Sequence, residues 1–188
     1  MAKVAFVYFS NTDVTKQLVE AAISELEHTE IECLTHQISG KEIIEGRFKN
    51  QELMDSLHKC DAIIFGSPTY MGSVSAQFKA FADATSDFWE QQAWAGKIAA
   101  GITSGSGLNG DQSSTLQYLS ILASQHGMLW VGLDAPFSDS NKNINRLGCH
   151  LGVTAHSPDG SVDESDLKSA KYLAIRVSKV AAAFAKGI

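Results

Sequence analysis

Three short apolar runs, at 4–9, 62–65 and 98–102, show no polar alternation, and each leads directly into a loop of Gly, Ser and Thr. Strands read this way when both faces are buried, as happens in a parallel sheet covered by helices on each side. Helical periodicity follows the first loop, over 13–26, with Val14, Leu18, Ala21, Ala22 and Leu26 on one face. Alternation of this kind predicts a three-layer α/β sandwich built on a doubly wound five-stranded parallel sheet.

The remaining elements fit that alternation. A strand is expected at 31–34, a short helix at 51–58, helices at 75–88 and 113–125, and a fifth strand at 128–133. Gly127 is placed to end the fourth helix, since glycine readily takes the left-handed conformation there. A final helix, capped by Ser161 or Asp163, is expected to reach Lys186. The stretch 36–49 reads as polar and irregular. Residues 134–160 read as one long loop, beyond the usual connection length, and such loops are commonly functional or disordered. With 188 residues and no internal repeat or linker, the chain is read as one domain, 1–188.

Open parallel sheets bind ligands outside the carboxyl ends of their strands, so the three loops can converge on one ligand. The first holds Ser10, Asn11, Thr12, Asp13, Val14 and Thr15 at a helix N-terminus. Its hydroxyls, its free N–H groups and the helix dipole suit a phosphate, although a plain helix cap has the same composition. The lysine of a Walker loop is absent, as is a GxGxxG fingerprint. The second loop holds Pro68, Thr69, Tyr70, Met71 and Gly72, with Tyr70 offering a surface to a ring. The third holds Thr103, Ser104, Gly105, Ser106 and Gly107, where glycine permits close backbone approach to a planar group.

A net charge of −6 and the lack of a basic patch argue against nucleic acid as a partner. Cys33, Cys60 and Cys149 are widely spaced and form no CxxC, so they read as free thiols, and no metal site is expected. Met1-Ala2-Lys3 leads straight into an apolar run too short for a signal peptide. No apolar run reaches the roughly 18 residues of a membrane helix. A cytoplasmic protein is expected. Trp94 and Trp130 read as packing residues, and His150 and His156 as surface residues.

Over nearly its whole length the chain resembles the flavodoxin-like FMN proteins, most closely the WrbA-like NAD(P)H:quinone oxidoreductases. The resemblance rests on Ser10 to Thr15 and on Asp61-Ala62-Ile63-Ile64-Phe65-Gly66-Ser67-Pro68-Thr69-Tyr70 with Gly72. It continues through Gln77-Phe78-Lys79-Ala80-Phe81-Ala82-Asp83 to Trp89, then Gly96-Lys97, Ser104-Gly105-Ser106-Gly107 and His126-Gly127-Met128. It implies the sheet order 2-1-3-4-5. It also implies FMN as cofactor, with its phosphate on the first loop and its ring and ribityl groups on the second and third. NAD(P)H is implied as co-substrate, a quinone or similar small molecule as acceptor, and Trp89 as a wall of the substrate pocket. A homodimer or homotetramer is implied, with pockets completed across subunits. The chain departs from this pattern in four places. Asp13 replaces a glycine, Tyr70 an arginine and Gln125 a histidine, and extra residues lie around 108–110.

Two functions compete. One is an FMN enzyme that takes hydride from NAD(P)H and reduces an acceptor. The other is a flavodoxin-type carrier that passes electrons between proteins. Carriers of this fold usually sandwich the ring between aromatic residues of the second and third loops, and no aromatic lies between Thr103 and Gln117. That favours the enzyme. The redox chemistry would belong to the flavin, so no catalytic side chain is named.

Overall fold

The computed structural model describes residues 2–108 and 110–185. In chain order the elements are β1 (Lys3–Tyr8), α1 (Val14–Leu26), β2 (Glu32–Gln37), β3 (Ile43–Ile44), β4 (Arg47–Phe48), α2 (Gln51–His58) and β5 (Ala62–Tyr70). They continue as β6 (Ser73–Val74), α3 (Ala76–Ala84), β7 (Ile98–Gly105), α4 (Gln112–Gln125), β8 (Leu129–Trp130), β9 (Val153–His156) and α5 (Glu164–Ala185).

The main sheet runs β2-β1-β5-β7, with β8 and β9 both paired parallel to β7. This is the expected doubly wound order. Alternate residues of the continuous apolar strands feed two separate cores. Ala5, Val7, Ile63 and Phe65 pack with Leu53, Leu57, Phe78, Phe81, Leu116 and Leu119 from α2, α3 and α4. Val4, Phe6, Ala62 and Ile64 pack with Leu18, Ala22, Leu26, Leu173, Ala174 and Val177 from α1 and α5.

The fifth position of the sheet differs from the expected strand at 128–133. It is filled by two pieces. Leu129 and Trp130 pair with Ile98 and Ala99, and Val153 to His156 then pair with Ile102 to Gly105. Between them the chain leaves the edge at Gly132, where a Cβ would collide with the carbonyl oxygen of His150. It returns at Gly152, where a Cβ would lie 2.5 Å from the Gly101 oxygen. The region read as a loop at 134–160 therefore contains β9 and an Asp139–Ile144 bridge.

Other boundaries also move. The stretch read as irregular contains the end of β2, a 3-10 turn at Gly40–Glu42 and the β3–β4 hairpin. The expected helix at 75–88 is α3 followed by a 3-10 turn at Thr85–Phe88, with Ser75 Oγ accepting from the Phe78 N–H at 3.2 Å. Gly127 has φ +64, as a helix-ending glycine should. At the start of α5 it is Asp163 that caps, its Oδ1 accepting from the Ser165 N–H at 2.9 Å. The expected helix end at Lys186 lies outside the described residues.

Trp94 is fully buried, and its indole N–H donates to His58 Nδ1 at 3.1 Å. Trp130 donates to the Leu151 oxygen at 2.8 Å. Both serve packing, as expected. His126 lies buried against Phe88 and Trp94, with Nε2 2.7 Å from Thr85 Oγ1. That hydroxyl donates its proton to the Ala82 oxygen, so Nε2 must be the donor to it. Burial holds the His126 pKa below its ordinary value. The cysteines are free, and burial pushes the Cys60 thiol up to about 11. Among the described residues, no helix is long and apolar enough to cross a membrane, and no three His, Cys, Asp or Glu side chains are grouped to hold a metal.

Candidate functional site

At the carboxyl ends of β1, β5 and β7 lies a cavity of about 520 Å³. Thr12 and Val14 line it from the first loop, Pro68, Thr69 and Tyr70 from β5, and Ser104, Gly105 and Ser106 from β7. Parallel pairing sets these together, because Ser67 and Pro68 sit in register with Thr103 and Ser104. Much of what reads as the second and third loops is therefore strand, which fixes its backbone.

Hydroxyl pairs tie the walls to one another. Thr15 Oγ1 lies 2.9 Å from Ser104 Oγ, joining the first loop to β7. Thr69 Oγ1 lies 2.8 Å from both Thr103 Oγ1 and Thr115 Oγ1, joining β5, β7 and α4. Ser10 Oγ accepts from the Lys16 N–H at 3.3 Å, which leaves the first-turn N–H groups before it free of intrahelical partners. Ser10, Thr15 and Thr103 thus support the walls and do not line the cavity.

Asn11 and Asp13 are exposed. Asp13 has φ +61, and its side chain makes no capping hydrogen bond. It occupies the left-handed position that glycine takes without strain, and the residues on either side of it, Thr12 and Val14, line the cavity. Met71 and Gly72, with φ +48 and +79, form the two-residue turn joining β5 to β6, as a type I′ turn requires. Met71 is fully exposed at the tip of this turn. Gly107 lies beyond the cavity, against Gly110. Trp89 is half-exposed and does not line the cavity of its own chain.

A fourth wall, absent from the sequence reading, comes from Ser157, Pro158, Asp159 and Gly160 after β9. The Ser157 N–H donates to the Gly105 oxygen at 2.9 Å, and the Ser161 hydroxyl and N–H donate to Asp159 Oδ1 at 2.6 and 3.0 Å. Those bonds hold the Asp159 carboxyl below the usual carboxylate range. The signal in the sequence is the short β-favouring run Val153-Thr154-Ala155-His156 followed by a Ser-Pro-Asp-Gly turn, the same strand-then-loop pattern as the other three. Among the described residues no basic side chain lines the cavity, so an anionic group would meet hydroxyls and backbone N–H groups.

The profile of the NADPH-dependent FMN reductase family matches residues 3–141. The chain belongs to that family. It is 37% identical to flavodoxin FldP of Pseudomonas aeruginosa over 188 residues, 96% of this chain and 97% of the relative. It is 32% identical to an NAD(P)H dehydrogenase (quinone) of Archaeoglobus fulgidus over 195 residues, 96% of this chain and 98% of that one. Among solved structures, a WrbA-like flavodoxin protein from Agrobacterium tumefaciens superposes with a TM-score of 0.75 at 35% identity, covering 96% and 98% of the two chains. The chain is accordingly a flavodoxin-like FMN protein and an NAD(P)H-dependent flavin oxidoreductase. The cavity suits that cofactor. Hydroxyls line it, a helix N-terminus opens onto it, and Ser157 on its wall carries a buried Oγ with no partner among the described residues.

Proposed function

We propose that this protein passes hydride equivalents from NAD(P)H through FMN to a quinone or similar small acceptor. One observation carries the reading. Tyr70 is the single aromatic side chain among the described residues that line the cavity. A planar ring stacked on one side by Tyr70 keeps its other face open to a nicotinamide or a quinone. A carrier gains from covering both faces. FMN supplies the hydride-accepting chemistry when bound, and the chain supplies position. Thr12, Val14 and the first turn of α1 would hold the phosphate, supported by Ser10 and Thr15. Pro68, Thr69 and Tyr70 would line one side of the ring system, and the backbone of Ser104, Gly105 and Ser106 would border the other without an aromatic to cover it. The strand register makes these walls stiff. Asp13, being exposed, would keep its carboxylate in solvent.

One open face admits one planar partner at a time, so turnover with NAD(P)H and a small benzoquinone should follow ping-pong kinetics. Double-reciprocal lines at several quinone concentrations are expected to run parallel. Intersecting lines would mean a ternary complex and two separate sites. The identity to a relative named flavodoxin supports the carrier as a second reading. FMN-loaded protein that oxidises no NAD(P)H with any quinone would favour it.

The active form is proposed to be a homo-oligomer. The long 134–160 segment gives less support to this than its length suggested, because much of it is paired or packed within its own chain. The support comes from Met71 and Trp89, large apolar side chains held out in solvent. Light scattering at micromolar concentration should report a dimer or tetramer. Trp89→Ala should raise the Michaelis constant for the quinone more than it lowers the maximal rate, by about 0.5–1.5 kcal/mol, the range of a stacked aromatic pair. A strict monomer whose kinetics ignore Trp89→Ala contradicts the shared pocket.

A further inference from the structure

Ser157 is 8% exposed, and its Oγ has no hydrogen-bond partner among the described residues. A buried hydroxyl without a partner is costly, and native structures rarely keep one without a reason. The residue that carries it lines the cavity with Thr12, Tyr70 and Ser104, and because the Oγ itself is closed to solvent, a turn about the Cα–Cβ bond is what brings it to a ligand there. It is also firmly held. His156, just before it, closes the β9 ladder opposite Gly105. The His156 N–H donates to Asp166 Oδ2, and its oxygen accepts from Arg146 Nη2, each at 3.3 Å. The Ser157 N–H is fixed on the Gly105 oxygen at 2.9 Å, and Pro158 stiffens the turn that follows. Backbone constraints on both sides therefore hold Ser157 in place, and no described residue uses its hydroxyl.

From this geometry we infer that the segment after β9 is a fourth cofactor-binding wall, with the Ser157 hydroxyl hydrogen-bonding a polar atom of bound FMN. The inference rests on the reading of the cavity as the FMN site. It adds a contact from beyond residue 141, where the match to the family profile ends. The reciprocal consequence is that binding relieves an unmet hydrogen bond, so the hydroxyl acts on affinity and not on the stability of the empty protein.

The test is titration of apoprotein with FMN for the wild type, Ser157→Ala and the near-isosteric Ser157→Cys, with thermal melting of each apoprotein alongside. Both variants should bind FMN about three- to tenfold more weakly, the range for one hydrogen bond. Their apoproteins should melt at or above the wild-type temperature. Equal affinity in wild type and variants overturns the role of Ser157 while leaving the FMN site standing. Weaker binding together with a lower apoprotein melting temperature also overturns it, since the hydroxyl would then have been supporting the fold. A wild-type protein that takes up no FMN removes the reading beneath the inference.

Discussion

Arg146→Ala is expected to destabilise the protein by about 3 kcal/mol at neutral pH, the range for removing one partner of a buried ion pair. Asp166 retains only 2% of its side-chain exposure, and Arg146 grips it with Nε at 2.8 Å and Nη2 at 2.6 Å. Burial raises the Asp166 pKa despite the guanidinium beside it. The charged pair is therefore not a source of surplus stability, but a lone Asp166 carboxylate would be a large liability. The sign of the pH dependence follows. A carboxyl whose folded pKa is raised favours the fold below its unfolded pKa and loses that contribution as pH rises through the folded one. Without Arg146 the raised pKa climbs further, so the deficit should be largest near neutrality. It should shrink as pH falls toward the ordinary carboxyl value of about 3.9, where Asp166 takes up a proton. Urea unfolding of wild type and variant at neutral and acidic pH measures this. Adding Asp166→Asn to Arg146→Ala should recover much of the neutral-pH loss. A deficit that does not change with pH would mean that Arg146 acts through packing alone.

A comparable loss, about 3 kcal/mol, is expected for Gly152→Ala, at the upper end of the usual cost of overpacking. Its new Cβ would meet the Gly101 carbonyl oxygen at 2.5 Å and Leu116 Cδ2 at 2.9 Å, and the first of these is backbone that cannot step aside. Gly132→Ala faces the same obstacle at the His150 oxygen. Both glycines mark the places where the chain leaves and rejoins the sheet edge, so either methyl pushes β9 away from β7. Gly40→Ala is the control, because nothing lies within 4 Å of its Cβ position and its φ is not positive. It should be neutral or slightly stabilising, by up to about 1 kcal/mol through the unfolded chain. Chemical denaturation of the three variants tests the split strand directly. A fully stable Gly152→Ala protein would show that β9 does not sit where it is described.

This split also marks where sequence reasoning stops. Continuous apolar runs such as Val4 to Tyr8 and Ala62 to Phe65 are strong signals, because both faces of a central strand must be apolar. The outermost position carries no such demand. Met128-Leu129-Trp130-Val131-Gly132-Leu133 reads as one strand, yet only Leu129 and Trp130 pair. What ends the pairing is the close approach of Gly132 to His150, eighteen residues on, which no local pattern announces. The return at Val153 is only four residues long, between Gly152 and a Ser-Pro-Asp-Gly turn, so in sequence it reads as part of the loop. The fourth wall of the cavity is hidden in that loop with it.

At the site, the residue types were legible and their division of labour was not. Thr12, Val14, Pro68, Thr69, Tyr70, Ser104, Gly105 and Ser106 line the cavity as a group. Ser10, Thr15 and Thr103 look the same in sequence but turn their hydroxyls inward, toward Lys16, Ser104 and Thr69. Which hydroxyl faces a ligand depends on pleat and register, and these become definite only when β5 and β7 are paired. The resemblance implies Met71 beside the ring and Trp89 at the substrate pocket, and within one chain both are exposed and neither lines the cavity.

These walls are proposed to hold FMN with one face open to small redox partners. Anaerobic mixing of the FMN-loaded protein with NAD(P)H, followed by a benzoquinone, tests this most directly through the visible absorbance of the flavin. NAD(P)H should bleach the absorbance, and the quinone should then restore it without any protein partner. Absorbance that stays unbleached by NAD(P)H, or that a quinone fails to restore, would contradict the proposal.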